Sequence, residues 1–177
     1  EYEVTWDAAA AEKGGFDTFM LKEIAEQPKA VADTLMSRIK DGKIYLDEMK
    51  FTAEELRNID KIIITACGTA YHSGLIAKYA IERWTRVPCE VELASEFRYR
   101  DPILHKNILV IAISQSGETM DTLMAIRYAK EQGSRVLSIC NTQGSTMPRE
   151  SDAVIYTHAG PEIAVASTKA FLTQVIA

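Results

Sequence analysis

Cationic charge, cysteine and long apolar runs are all scarce in this sequence. Its 20 Lys and Arg are outnumbered by 25 Asp and Glu, for a net charge of −5. No basic surface is therefore on offer to nucleic acid or to an anionic membrane. An anionic ligand would have to be captured by local geometry. The cysteines are only Cys67, Cys89 and Cys140. An odd count with no C-x-x-C excludes a disulfide framework and a zinc ribbon. Each sits in or beside an apolar run, as small buried hydrophobes do, and this usage fits a reducing, cytoplasmic setting. No secretory leader is expected, and no apolar run is long enough to span a bilayer. His72, His105 and His158 lack metal-ligand spacing, so no metal site is expected. The fingerprints G-x-G-x-x-G and G-K-[ST] are missing, which argues against a dinucleotide or a nucleotide phosphate loop.

What is present fits one well-filled domain: 177 residues, 47% hydrophobic and 25% charged. Residues 1–16 read as a linker or arm, broken by Gly14-Gly15. Residues 17–60 read as helices packing on the domain that follows. Asp17 is placed to cap a helix through Phe19, Leu21 and Ile24. Pro28 restarts it, and Val31, Leu35 and Ile39 fall on one apolar face. Thr52-Ala-Glu-Glu55 is a capping box.

From residue 61 the period changes. KIIITAC at 61–67 is a β-branched run suited to a strand buried on both faces. Further strands are predicted at 89–94, 107–114, 135–140 and 152–157. Helices are expected over 70–86, from Ser95 to before Pro102, over 119–132 with Gly133 closing, and from near Ser167. Strands alternating with helices predict an α/β three-layer αβα sandwich around a five-stranded parallel sheet. The last residues, TQVIA, form an apolar helical segment without a stop signal, so the polypeptide is expected to continue.

The segment richest in chemistry is Ser114-Gln115-Ser116-Gly117-Glu118-Thr119, between a buried strand and a helix. Ligands of open α/β sheets bind at the carboxyl ends of strands, where helix N-termini offer free N–H groups. Three hydroxyls, an amide and a Gly exceed what capping one helix needs. Hydrogen bonds to a charged group contribute roughly 1.5–3 kcal/mol each, so four or five could hold a phosphate monoester without a cation. Gly68-Thr69 after the first strand and Val165-Ala166-Ser167 after the fifth add hydroxyls at the same edge. Three such strand ends predict a pocket for a polyol phosphate.

SQSGET at 114–119, ACGTAYHSG at 66–74, ELASEFRYRDP at 92–102 and EIAVASTKAF at 162–171 closely resemble the first sugar isomerase (SIS) domain of the glutamine–fructose-6-phosphate aminotransferase family. FMLKEIAEQP at 19–28 resembles that family's junction between glutaminase and isomerase regions. The resemblance implies a flavodoxin-like SIS domain over residues 61–177. It also implies a cytoplasmic homodimer without a cofactor that makes glucosamine 6-phosphate from fructose 6-phosphate and glutamine. It assigns the phosphate to Ser114, Gln115, Ser116 and Thr119, and the sugar to Thr69, the Val165 backbone and Ser167. Many members carry Ser where this chain has Ala70. The glutaminase nucleophile, the acid–base Glu, the ring-opening His and the imine-forming Lys belong to other segments of the family enzyme. No catalytic residue is therefore expected here, and the chain should bind fructose 6-phosphate or glucose 6-phosphate without turnover.

Lys169 and Glu118 are each better read as structural: an imine-forming Lys needs a lowered pKa, and a carboxylate is favoured at a helix start anyway. Arg98 and Arg100 fit either a subunit contact or a solvated face. The same domain could alternatively serve as a sugar-phosphate sensor, but residues 1–60 show no basic helix-turn-helix.

Overall fold

The computed structural model describes residues 12–36, 38–46 and 49–177. Most of the arm expected at 1–16 lies outside them. The chain then runs α1 (Phe19–Ala25), α2 (Gln27–Leu35), β1 (Ile39–Lys40), β2 (Lys43–Ile44), α3 (Ala53–Arg57), β3 (Lys61–Ala66), α4 (Gly68–Thr85), β4 (Cys89–Leu93) and α5 (Ala94–Phe97). It continues through β5 (Ile108–Ser114), α6 (Met120–Glu131), β6 (Arg135–Cys140), α7 (Thr146–Glu150), β7 (Ala153–Tyr156) and α8 (Lys169–Ile176).

Five strands pair in parallel in the order β4-β3-β5-β6-β7. Counted within the sheet this is 2-1-3-4-5, the flavodoxin-like order expected. Burial explains why the inner strands read as unbroken apolar runs. All seven residues of β5 are buried, whereas edge strand β7 alternates between buried and half-buried. The period of two sends alternate side chains to opposite faces. Ile63, Val110, Ala112 and Val136 pack with Phe97 of α5, Leu123 and Ile126 of α6 and Met147 of α7. Ile62, Ile64, Leu109, Ile111 and Ile113 pack on the other face with Ala70 and Ile81 of α4. α4 lies close because residue 74 is Gly: a Cβ there would meet Ile64 Cγ2 at 2.8 Å. α8 in turn packs on α4 and on α2, completing the three layers.

Several local expectations need correction. Thr18, not Asp17, caps α1: it is extended, and its Oγ1 accepts from Leu21 N at 3.2 Å. α2 stops at Leu35, so Ile39 belongs to a hairpin and is exposed. That hairpin turns at Asp41-Gly42, both at positive φ (52° and 70°), as a two-residue turn requires. α5 begins at Ala94, which leaves Ser95 inside the helix. α1 and α2 also bury a different face from the one anticipated. Leu21 and Ile24 are exposed, while Lys22, Glu23, Ala30 and Thr34 are buried. The Thr52–Glu55 capping box is present in both directions, and its hydrogen bonds hold the Glu55 carboxyl below its ordinary range.

Candidate functional site

The chain leaves β3 toward one side of the sheet and β5 toward the other, so the strand order reverses between them. At this reversal the carboxyl ends of adjacent strands cannot both be covered by their own following helices, and a crevice results. A cleft of about 420 Å³ opens there. Thr69, Ser114, Gln115, Ser116, Thr119, Val165 and Ser167, all singled out from the sequence, line it together. Among the described residues no Lys or Arg lines it, and Glu162 is the one charged lining residue.

The turn after β5 is built from its own side chains. Ser114 is 4% exposed. Its Oγ accepts from Gly117 N at 3.0 Å and lies 3.4 Å from Thr119 Oγ1. Ser116 Oγ accepts from Glu118 N at 3.2 Å. The amides of Gly117 and Glu118 are thus spent on the serines. The serine hydroxyl hydrogens stay available to donate, and the amides polarise those hydroxyls. Thr119 and Cys67 begin α6 and α4 without a side-chain cap, so first-turn amides of both helices border the cleft.

Gly117 has φ 67°, and a Cβ on it would fall 2.1 Å from Ser145 Oγ and 2.8 Å from Cys140 Sγ. What approaches this glycine is therefore the segment after β6, rather than a ligand. Glu118 reaches the same segment: its Oε1 accepts from Thr146 N at 2.7 Å, at the start of α7. Cys140 lies beneath, and burial raises its thiol pKa. Burial also pushes the Cys89 thiol up to about 11, away from the cleft. Cys67, half-buried, lines the cleft.

The third wall is the irregular segment from residue 157 to 168, whose amides are held largely by side chains. Asn141 Oδ1 accepts from Ala159 N at 2.9 Å, and Asn141 Nδ2 donates to Gly160 O at 2.9 Å. Thr34 Oγ1 accepts from His158 N at 3.1 Å. Glu23 Oε1 accepts from Ile163 N at 2.6 Å and from Ala164 N at 3.1 Å. Glu162 Oε1 accepts from Thr168 N and Ala170 N at the head of α8. Val165 is fully exposed at the cleft edge. Ser167 Oγ accepts from Phe171 N at 3.2 Å.

Lys169 is 3% exposed, and its Nζ donates to Glu26 Oε2 at 2.7 Å, tying α8 to the α1–α2 junction. It does not line the cleft. His72 is exposed and does not line it either. His105 pairs with Asp60 at 3.6 Å. Arg100 pairs with Glu92, whose hydrogen bond raises its pKa, and Arg98 stacks on exposed Tyr99. Among the described residues no cluster of His, Cys, Asp and Glu could hold a metal.

Three polar lining residues were not singled out from the sequence: Thr122, Glu162 and Gln174. Thr122 stands one turn after Thr119, a spacing that could have flagged it. Gln174 is 5% exposed, and its Oε1 has no partner among the described residues.

The SIS domain family matches residues 55–177. The chain belongs to the SIS domain family. Over 99% of its length it is 73% identical to the glutamine–fructose-6-phosphate aminotransferase (isomerizing) of Streptomyces coelicolor, covering 29% of that protein. The counterpart from Mycolicibacterium paratuberculosis is 68% identical and is covered to 28%. The C-terminal domain of glucosamine-fructose-6-phosphate aminotransferase from Francisella tularensis superposes with a TM-score of 0.87 at 48% identity, over 93% of this chain and 47% of that one. This SIS chain therefore spans less than a third of the curated relatives it matches.

Proposed function

We propose that this SIS domain is the fructose 6-phosphate-binding part of an isomerising aminotransferase. That enzyme would take nitrogen from glutamine to form glucosamine 6-phosphate, in a cytoplasmic homodimer that also holds a glutaminase domain and a second SIS domain. Residues 61–177 would form the binding domain, with 17–60 packed on it and 1–16 leading in. The observation that carries the reading is the cleft itself. Hydroxyls and helix N-termini meet at a sheet reversal with no lysine or arginine among the lining residues. The 73% identity to a relative of that name supports the choice of substrate.

In the intact enzyme ammonia would add to the C2 carbonyl of the open-chain ketose. Loss of water and movement of a proton from C1 to C2 then give the amino aldose. The part of this chain is to hold. Ser114, Gln115, Ser116 and Thr119 fix the phosphate; Thr69, the Val165 backbone and Ser167 fix the sugar. Groups from another segment can then meet C1 and C2 in a defined geometry. Ala70 is buried at the cleft and offers no hydroxyl where many members offer one. This chain alone would bind its substrate and leave it unchanged.

Thermal denaturation tests the assignment. Fructose 6-phosphate or glucose 6-phosphate should raise Tm, because a ligand of the native state stabilises it. Replacing Ser114 and Ser116 together by Ala should abolish the rise. An undiminished rise in the double variant would remove the phosphate site.

A further inference from the structure

The segment between β7 and α8 carries Val165 and Ser167, yet it contains no helix or strand that could set its position. Val165 packs against nothing, since its side chain is fully exposed. The two amides just before it, Ile163 N and Ala164 N, both end on one oxygen of Glu23. Glu23 lies on α1, 140 residues earlier, and is 2% exposed. Its second oxygen is sealed without a partner among the described residues. Burying a carboxylate this way costs free energy that packing alone does not return. An apolar residue would fill the site at less cost but could not hold two amides. The C-terminal end of α1 is itself tied to α8 by the contact of Glu26 with Lys169 at 2.7 Å.

We infer that Glu23 is a positioning residue: through Ile163 and Ala164 it holds the Val165 wall of the cleft in the sugar-binding geometry. This rests on reading the cleft as a sugar-phosphate site. The phosphate meets the turn at 114–119, and the carbon chain meets the wall that Glu23 holds. Glu23 therefore acts on the affinity for the sugar and not on the affinity for phosphate. Releasing the wall lets it populate other positions, and apparent affinity falls by the fraction that remains competent.

The test uses the 177-residue chain, with glucose 6-phosphate and inorganic phosphate titrated by calorimetry. Hydrogen exchange is followed at the amides of residues 163 and 164. Glu23→Ala should speed exchange at both amides and weaken glucose 6-phosphate about tenfold, with phosphate held within about twofold. Glu23→Asp withdraws the oxygen by one methylene while keeping the charge; it should show the same selective loss and serves if the alanine variant does not fold. Glu23→Gln retains an accepting oxygen and should stay within about threefold of the parent for both ligands. Unchanged exchange in Glu23→Asp refutes the clamp alone. Equal weakening of both ligands reduces Glu23 to a structural residue. A parent chain that binds neither ligand removes the cleft reading, and the positioning role falls with it.

Discussion

Gly117 shows how one residue serves two neighbours at once. Its positive φ turns the chain from β5 toward α6, and its missing side chain admits Ser145 and Cys140 against the turn. Gly117→Ala should therefore destabilise the domain by about 3 kcal/mol, from a left-handed backbone penalty plus overpacking. Urea denaturation would measure it; a loss below about 1 kcal/mol would mean that the segment after β6 gives way easily. The cleft-lining hydroxyls of 114–119 were legible in the sequence because they fall in one short segment. The partner that makes Gly117 obligatory was not, since Ser145 is brought to it by the sheet. Glu23 was illegible for the same reason. A glutamate beside a lysine on an amphipathic helix reads as solvated, and nothing local announces that it is buried against a loop 140 residues later.

At the scale of elements, runs with strong periodicity or unbroken apolarity were readable, and short pieces were not. The inner strands appeared because both faces are buried. The Asp41-Gly42 hairpin was missed although its turn dipeptide was visible, because its two-residue strands show too little alternation. The exposed Leu21 and Ile24 misled the assignment of α1's buried face. α7, five residues long, was also missed; it is held by ties to its neighbours more than by its own turns. Arg127 of α6 donates to Glu150 through two nitrogens at 2.8 and 2.7 Å, and Lys130 Nζ donates to Glu150 O at 2.8 Å. The hydrogen bond from Arg127 holds the Glu150 carboxyl below its ordinary 4.5. A carboxylate depressed in the folded state stabilises above the unfolded value, and the gain is lost as pH falls through the folded value. Both side chains are partly exposed, so solvent screening keeps the contribution of the pair small. Arg127→Ala should lower stability slightly at pH 7, and the gap from the parent should close as the pH drops below 4.5. A gap independent of pH would show that Arg127 stabilises through packing alone.

For the whole molecule, alternating strands and helices already implied a parallel sheet with helices on both faces. From that architecture the placement of a ligand at the strand carboxyl ends follows on general grounds. The structure adds how the cleft is enclosed. Residues at the end of β3, the end of β5 and the segment before α8 share one cavity, and the last of these is held from α1 and β6 by Glu23 and Asn141. The N-terminal helices, which resembled a junction between regions, do not line the cleft but hydrogen-bond the segment that forms its third wall. On the proposed reading, an anion is held by hydroxyls and helix amides, with no Lys or Arg among the described residues that line the cleft. Diffraction from a crystal soaked in glucose 6-phosphate tests it most directly. The phosphate should lie within hydrogen-bonding distance of Ser114, Ser116 and Thr119, with the sugar extending toward Val165. Phosphate density bound anywhere else, with the 114–119 turn left bare, would contradict the account.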